Sequence, residues 1–443
     1  MAEVKDILTG LDRYETFIEK LDKEIEKMDD YRIAIVYTDI KHFKYINDTY
    51  GYQRGDMLLR EFVNQVLRID DKLLCAARVY SDNIVVATRL DNEHSNSEFR
   101  DIIYGRNMEL ERMLRDNYLD EGLKLSTGIS VISKDDRRLD AATAVSNANL
   151  ARKLAKEMKD DCCVLFDNKM IEGIKKEVEI TSSLSSAINN GEFKVYYQPK
   201  MDTGSLRLIG AEALIRWQKP NGTFVFPDEF IPFIEQSGQI VDLDYFVYRE
   251  VFKFIADRIS NDEPVVPISV NVSRVHLSRM GILEYVADLF DEYQIPPQYV
   301  EFELTESIYI DNTEKALQLV EGLHNMGVKV SMDDFGSGYS SLNLLSGLPI
   351  DIIKLDKVFL KKANANEGRL KENDKIIISC VVDMARRLKI TSLCEGVETP
   401  EQSDYLAEIG CEIQQGYYFS KPIPQEDFEE FIDAHFNPCS AVV

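Results

Sequence analysis

The stretch VKVSMDDFG, residues 328–336, decides the fold of the larger part of the chain. It opens as a short β-type run and ends in two adjacent aspartates. Eight runs of this β type occur from about residue 178 onward, with helix-like segments between most of them. They cover residues 194–198, 208–215, 267–272, 300–304, 328–332, 352–355, 390–393 and 413–417. Strands that alternate with helices in this way predict a (β/α)8 barrel.

The first two predicted strands depart from a regular barrel. Only a short turn containing Thr203-Gly204 separates them, which leaves no room for a helix. Strands joined by a tight turn pair antiparallel. We therefore expect a modified (β/α)8 barrel whose first strand pair is antiparallel.

Polar residues recur where most of these strands end. They are Glu212, Asn271, Glu303, Asp333 with Asp334, Lys354, Glu395 and Gln415. In a barrel these ends converge on one face, where barrel enzymes place their active sites. Carboxylates brought together raise one another's pKa unless cations neutralise them. Oxygen ligands without His or Cys favour Mg²⁺ or Mn²⁺, and two such ions suit the in-line cleavage of a phosphodiester.

The strand-end motifs resemble the EAL family of cyclic di-GMP phosphodiesterases. The matching segments are Tyr197-Gln-Pro199, Glu212-Ala-Leu-Ile-Arg216, Ser269-Val-Asn-Val-Ser273, Glu303-Leu-Thr-Glu-Ser307, Asp333-Asp-Phe-Gly-Ser-Gly-Tyr-Ser-Ser341, Lys354-Leu-Asp356, Glu395-Gly-Val-Glu-Thr399 and Gln415-Gly-Tyr-Tyr-Phe-Ser-Lys-Pro422. They stand in family order over residues 178–435. No catalytic position of this region departs from the family pattern.

The resemblance implies a role for each matched side chain. Metal would be held by Glu212, Asn271, Glu303, Asp333 and Glu395, with Asp334 at a second ion. Lys354 and Glu395 would position or deprotonate the attacking water. Gln198, Arg216 and Gln415 match substrate-side or site-ordering positions. Glu306 matches a glutamate that supports catalysis by steadying a mobile loop, residues 334–345, in which Ser337 replaces a common Thr.

The implied reaction is Mg²⁺- or Mn²⁺-dependent hydrolysis of one phosphodiester of cyclic di-GMP, which gives linear pGpG. Ca²⁺ is expected to occupy the site and inhibit, because it tolerates irregular coordination. A homodimer formed through the EAL domain is the expected assembly. Two alternatives are a receptor that binds cyclic di-GMP without cleaving it and a scaffold that binds neither nucleotide.

Residues 6 to about 168 resemble the GGDEF family of diguanylate cyclases. Matching segments include Asp6-Ile-Leu-Thr-Gly-Leu11, Asp39-Ile-Lys-His-Phe-Lys44 and Ile46-Asn-Asp-Thr-Tyr-Gly51. This implies an α+β nucleotide-cyclase-like domain with a ferredoxin-like core. The signature Gly-Gly-Asp-Glu-Phe aligns with Tyr80-Ser81-Asp82-Asn83-Ile84, which lacks both glycines and the acidic fourth residue. We therefore expect negligible cyclase activity from a degenerate domain.

The nucleotide side of this domain matches the family better than its signature does. By resemblance, Asn47 and Asp56 match guanine-reading positions, Asp39 a metal ligand and Lys156 a phosphate contact. The domain would then bind GTP and regulate the barrel, although the ring of Tyr80 is expected to crowd the phosphates. A domain that only scaffolds or dimerises is the alternative.

Composition sets the remaining expectations. The 443 residues carry a formal net charge of −25, which disfavours a broad grip on nucleic acid or on an anionic membrane. No apolar run reaches the length of a membrane span, and a cytoplasmic location is expected. Residues 1–170 are predicted as the degenerate GGDEF domain, 171–185 as a helical linker and 186–437 as the EAL domain. The cyclase-like domain starts near residue 6 and leaves no room for a sensor in this sequence, so a fragment of a longer chain or a protein controlled only by nucleotides and partners is expected.

Overall fold

The computed structural model describes residues 5–69, 72–118, 123–134, 139–158, 162–279, 281–336, 347–360 and 372–436. The chain divides into two compact units, Met1–Lys175 and Lys176–Val443. Each unit has its own core, and they are described separately below. None of the helices in the described ranges is long and apolar enough to cross a membrane.

The N-terminal unit is built on one six-stranded mixed sheet. Its strands are β1 (Asp12–Arg13), β2 (Arg32–Ile40), β3 (Leu73–Tyr80), β4 (Asn83–Leu90), β5 (Leu125–Ile132) and β6 (Cys163–Leu165), in the order β1-β3-β4-β2-β5-β6. Its helices are α1 (Tyr14–Lys27), α2 (Phe43–Tyr50), α3 (Tyr52–Ile69), α4 (Asn96–Tyr118) and α5 (Ala141–Glu157). Helix α6 (Asn168–Asn189) contains the residues predicted as a linker.

Helices cover both faces of this sheet because the central strands are apolar on both faces. Ile33 of β2 packs in one cluster with Phe17 of α1, whereas the next residue, Ala34, packs in another with Phe99 of α4. Successive side chains of a strand point to opposite faces, so β2 separates two layers of core. The α+β architecture predicted for this region is confirmed.

The C-terminal unit is an eight-stranded barrel with helices around it. The barrel strands are β7 (Phe193–Asp202), β8 (Leu208–Gln218), β10 (Ile268–Val272), β11 (Val300–Thr305), β12 (Lys329–Phe335), β13 (Ile352–Leu355), β14 (Thr391–Cys394) and β15 (Ile413–Gln415), while β9 (Phe224–Val225) and β16 (Ile423–Pro424) lie at its margin. The α-helices are α7 (Pro227–Ser237), α8 (Ile240–Ser260), α9 (Ile282–Tyr293), α10 (Glu306–Asp311), α11 (Thr313–Asn325), α12 (Glu372–Leu388), α13 (Pro400–Ile409) and α14 (Gln425–His435), and 3₁₀ turns cover Arg274–Leu277, Pro297–Tyr299 and Lys357–Leu360.

Strand β7 is the irregular member of the barrel. It pairs antiparallel with β8 on one side and with β15 on the other, whereas the pairs from β8 and β10 through to β15 are parallel. The predicted modified barrel with an antiparallel first strand pair is therefore confirmed. Tyr197 of β7 stacks on Phe428 of α14 at 4.9 Å between ring centroids, which leaves the alternate residues of β7 for the barrel interior.

Candidate active site

The strand register brings the predicted strand-end residues to one end of the barrel. Asn271 of β10 pairs directly with Glu303 of β11, and Gln198 of β7 pairs with Glu212 of β8. Most of the parallel strands end at this face, so their last polar side chains point into a common space. Lys354 of β13 lies completely buried in that space.

Lys354 is the centre of the carboxylate cluster. Its Nζ lies 2.7 Å from Glu395 Oε1, 3.0 Å from Asp333 Oδ1 and 3.6 Å from Glu212 Oε2. It also donates a hydrogen bond to Glu303 Oε2. Four acidic groups from four different strands or strand ends thus share one ammonium group. Burial lowers the pKa of a lysine, yet these four carboxylates hold the pKa of Lys354 well above its usual range.

The carboxyl groups of this cluster have very different pKa values. Burial raises the pKa of Glu395 to about 8, with Asp333 and Glu212 adding to the rise and Lys354 opposing it. Burial also raises the pKa of Glu212, and the neighbouring Glu303 adds to that effect. Burial acts in the same direction on Glu303, but two lysines overcome it and hold the pKa of Glu303 at about 2. Burial therefore opposes ionisation of Glu395 and Glu212, whereas the two lysines keep Glu303 ionised.

Side-chain amides complete the surroundings of Glu212. Asn271 Nδ2 donates to Glu212 Oε1 at 3.1 Å, and Gln415 Nε2 donates to Glu212 Oε2 at 2.6 Å. Gln415 Nε2 also donates to Gln198 Oε1 at 3.1 Å, and Gln198 Nε2 donates to the Ser420 carbonyl. The structure thus brings Gln198 and Gln415 together with the predicted metal ligands, in a position to order them.

Sequence reasoning missed a second buried lysine below this cluster. Lys200 Nζ lies 2.9 Å from Glu303 Oε1 and 3.1 Å from Glu301 Oε1, and all three side chains are buried. Because β7 runs against its neighbours, Lys200 lies one pleat deeper in the barrel than Gln198. The two lysines bond different oxygens of Glu303, which fixes the orientation of that carboxylate. The i, i+2 spacing of Glu301 and Glu303 was the only sequence signal of this arrangement.

The remaining predicted site residues lie outside the Lys354 cluster in the described ranges. Asp334 is half-buried and has a left-handed backbone with φ 55°; burial, Asp333 and a hydrogen bond with Asp356 raise its pKa to about 6. Glu306 is buried at the start of α10. Arg216 lies four residues beyond Glu212 on β8, with its guanidinium 5.7 Å from the Tyr196 ring centroid. Ser337 and most of the predicted mobile loop lie outside the described residues.

A cavity of about 290 Å³ opens beside the cluster. Glu212, Asp333 and Glu395 line it together with Gln415 and the exposed ring of Tyr417. The backbone at Gly416, which lines this cavity, packs so closely on Val397 that a Cβ atom would lie 2.1 Å from the Val397 carbonyl oxygen. Sequence reasoning had not singled out Tyr417, which offers a flat aromatic surface to a ligand.

The donor chemistry of the cluster suits a divalent cation. Five acidic side chains, Glu212, Glu301, Glu303, Asp333 and Glu395, face only two ammonium groups, Lys200 and Lys354. Within the described ranges no three acidic, His or Cys side chains form a preassembled metal cage, and Lys354 instead lies where the carboxylates converge. The oxygen donors that would hold a metal are Glu212, Asn271, Glu303 and Asp333.

The N-terminal unit has a second acidic site, in which cationic side chains offset the acidic charge. Asp39 at the end of β2 is buried, and its Oδ2 accepts hydrogen bonds from Arg152 at 2.5 Å and from Lys156 at 2.7 Å. The nearby carboxylate of Asp82 accepts a hydrogen bond from the Ile40 amide at 2.9 Å. Both cationic side chains therefore converge on one of the two acidic groups, Asp39.

A cavity of about 440 Å³ lies beside this acidic pair. Asn47 and Lys156 line it, as predicted for nucleotide contacts, but Asp56 is exposed on α3 and is absent from the lining. Asn83 is buried and pairs with Tyr80 across a two-residue turn. The expected crowding by Tyr80 is not seen: its side chain is 58% exposed and does not line the cavity.

Comparison with known proteins assigns the barrel. The sequence profile of the EAL domain matches residues 181–422, more than half of the chain. The chain belongs to the EAL domain family. The profile of the diguanylate cyclase GGDEF domain matches residues 3–162, so this EAL protein is a GGDEF–EAL tandem.

Curated relatives resemble this EAL protein along nearly its whole length. It is 29% identical over 97% of its length to the cyclic di-GMP phosphodiesterase NbdA of Pseudomonas aeruginosa, and 28% identical over 95% to the bifunctional diguanylate cyclase/cyclic di-GMP phosphodiesterase MucR of that organism. The chain spans only 54% and 60% of the lengths of these two relatives. A solved structure of the PaMucR phosphodiesterase in complex with c-di-GMP covers 56% of this chain and 99% of its own, with a TM-score of 0.53 and 31% identity. Phosphodiesterases of this family generally depend on a divalent metal.

Proposed function

We propose that the barrel hydrolyses cyclic di-GMP to linear pGpG with Mg²⁺ or Mn²⁺. The observation that carries this proposal is the cluster of four strand-end carboxylates around Lys354, in which the acidic groups outnumber the cations. Such an excess of negative charge stabilises a divalent metal and repels an anionic ligand without one. The relatives named as cyclic di-GMP phosphodiesterases support the choice of substrate.

The cleavage requires a water oxygen to form a bond to phosphorus while the bond to the 3′ oxygen of the ribose breaks. A divalent metal supplies positive charge to the phosphoryl oxygens when it is bound. The Lys354–Glu395 pair, 2.7 Å apart, is placed to orient the attacking water and to take its proton. Lys200 holds Glu303 in one orientation throughout, because it bonds the oxygen that Lys354 does not use.

The cavity beside the cluster suits the rest of the substrate. The amides of Gln198 and Gln415 are ordered by one another and by Glu212, so they form a rigid wall. Tyr417 offers a ring on which a guanine base can stack. Asp334 completes the acidic set as the ligand of a second ion.

For the N-terminal unit we propose GTP binding without synthesis of cyclic di-GMP. Asn47 and Lys156 line its cavity, which supports nucleotide binding. The neutral Asn83 cannot take a proton from an attacking hydroxyl, which argues against synthesis. GTP in this cavity would then act as a regulatory ligand of the barrel.

The proposed function is tested by incubating the full chain with cyclic di-GMP and Mg²⁺ or Mn²⁺, with and without GTP. We expect release of pGpG, no synthesis of cyclic di-GMP from GTP, and inhibition by Ca²⁺. The receptor alternative predicts binding of cyclic di-GMP with no product at any metal concentration. Binding without product would therefore replace the enzyme by the receptor, and no thermal shift with either nucleotide would indicate a scaffold.

A further inference from the structure

Arg152 is a buried cation fixed against the acidic pair of the N-terminal unit. Its side chain is only 5% exposed, and its Nη1 lies 2.5 Å from Asp39 Oδ2. Its Nε donates to Asn149 Oδ1 at 3.0 Å, and its guanidinium lies 5.4 Å from the Tyr37 ring centroid. Partners on several sides hold the guanidinium in place, so it cannot leave Asp39 without leaving a charge buried and unpaired.

Lys156 reaches the same carboxylate oxygen but is much freer to move. Its Nζ lies 2.7 Å from Asp39 Oδ2, its side chain is 48% exposed, and it lines the adjacent cavity. An anion in the cavity can therefore attract the Lys156 ammonium while Arg152 continues to neutralise Asp39. Arg152 therefore neutralises the Asp39 carboxylate, and Lys156 is available to bind an anionic ligand.

Four other residues of this cavity suit a nucleotide, and the carboxylates Asp48 and Asp82 also line it. Lys44 adds a second cation to the lining, and Phe43 and Tyr52 add aromatic rings. The amide of Asn47 packs so closely on Gly55 that a Cβ at that glycine would lie 1.9 Å from Asn47 Oδ1. A positioned amide, aromatic rings and lysines match a base and its phosphates.

A divalent metal does not fit this acidic pair. The charge of Asp39 is shared by two cations, and Asn83 supplies no third carboxylate. Asp39 Oδ1 is buried and has no hydrogen-bond partner among the described residues, so it offers one lone oxygen beside a fixed guanidinium. A second cation brought to this oxygen would be repelled by Arg152.

We propose that Arg152 takes the place of a divalent metal at Asp39, so that the N-terminal cavity binds GTP without metal. This inference rests on the GTP binding proposed above and adds that the binding is independent of Mg²⁺. The inference also accounts for the neutral Asn83 at the acidic position of the signature, because a site with a built-in cation needs fewer carboxylates.

The first test is the affinity of the full chain for GTP, measured by calorimetry in EDTA and in excess Mg²⁺. We expect the same dissociation constant in both buffers, and we expect Asn47→Ala to weaken it in both. Binding that is about tenfold or more tighter in Mg²⁺ overturns the inference and leaves the proposed GTP binding standing. Failure to bind GTP in either buffer overturns the GTP binding itself.

The second test counts bound Mn²⁺ by electron paramagnetic resonance and needs no nucleotide. We expect Asp39→Asn to leave the count unchanged and Asp333→Asn in the barrel to lower it. Arg152→Leu should create an extra Mn²⁺ site that Asp39→Asn removes again, whereas Arg152→Lys should not. Thermal unfolding checks that these variants fold. If Asp39→Asn lowers the count of the wild-type chain, Arg152 does not exclude metal.

Discussion

The two acidic sites of this molecule differ in how their charge is balanced. In the barrel, Lys354 alone contacts four carboxylates, and Lys200 below it contacts Glu301 as well as Glu303. In the N-terminal unit, Arg152 and Lys156 both bond to the single carboxylate of Asp39. The first site has acidic groups in excess and the second does not. We therefore expect a carboxylate at the end of a strand to bind metal only when the surrounding cations leave it uncompensated.

The largest expected effect is on the turnover number and follows from substituting Lys354, at the centre of the barrel site. Lys354→Met removes the positive charge beside the attacking water and should lower the turnover number by about 10²–10³-fold. Mn²⁺ affinity should not fall, because the cluster becomes more negative. Steady-state kinetics and Mn²⁺ titration measure the two quantities. Lys357→Met is the matched control: Lys357 lines the cavity outside the cluster, so a comparable loss of turnover there would contradict this role for Lys354.

The next effect concerns stability. Lys200→Met leaves Glu301 and Glu303 buried without their shared cation and should cost about 3–5 kcal/mol of unfolding free energy. Adding Glu301→Gln should recover part of that loss. Urea denaturation measures both changes. Lys219→Met, which removes the exposed pair with Glu179, should cost less than about 1 kcal/mol. Equal losses for Lys200→Met and Lys219→Met would show that the buried network contributes no special stability.

Removal of metal distinguishes the barrel site from the N-terminal site at Asp39. A metal that binds only the folded barrel should stabilise it by about 2.7 kcal/mol at a hundred times its dissociation constant, and EDTA should abolish the gain. Asp333→Asn should lose the metal-dependent shift in melting temperature, and Asp39→Asn should keep it. A shift that survives Asp333→Asn but not Asp39→Asn would reverse the comparison.

The smallest expected effect lies in the N-terminal turn. Tyr80→Gly removes an exposed ring that does not line the cavity, so the affinity for GTP should not change. Unfolding free energy should fall by about 0.5–1 kcal/mol, because glycine in a strand loses more backbone entropy on folding. Calorimetry measures the affinity for GTP, and thermal unfolding measures the change in stability. A clear gain in GTP affinity would restore the view that Tyr80 crowds the phosphates.

The barrel could be predicted well because each strand carries its own signal. The run before Asp333, predicted as 328–332, alternates apolar and polar residues and is observed as Lys329–Phe335, and strand β13 has the predicted bounds Ile352–Leu355. In the N-terminal unit, strand β3 and helix α4 were not predicted. Helix α4 carries many charged residues and only a weak apolar stripe, so its pattern resembles solvated chain.

The countercharges of both sites could not be predicted, because partners far apart in sequence define them. Arg152 stands in an alanine-rich helix, where an arginine is normally a surface residue, and the carboxylate that it neutralises is 113 positions away. Lys200 is 101 positions from Glu301. Sequence patterns reveal which groups carry charge, whereas only the fold reveals which charges remain unpaired.

The antiparallel direction of strand β7 also determines which site residue is reached first by a backbone displacement that begins before β7. Because β7 runs against the other strands, its first residue, Phe193, pairs with Trp217 at the end of the barrel where the carboxylates converge. Residues that precede β7 in the chain therefore reach the barrel at the end where the carboxylates converge and not at the opposite end. A displacement of the backbone at residue 193 needs to travel only five residues along one strand to reach Gln198, so Gln198 is the site residue most directly exposed to tension on that segment.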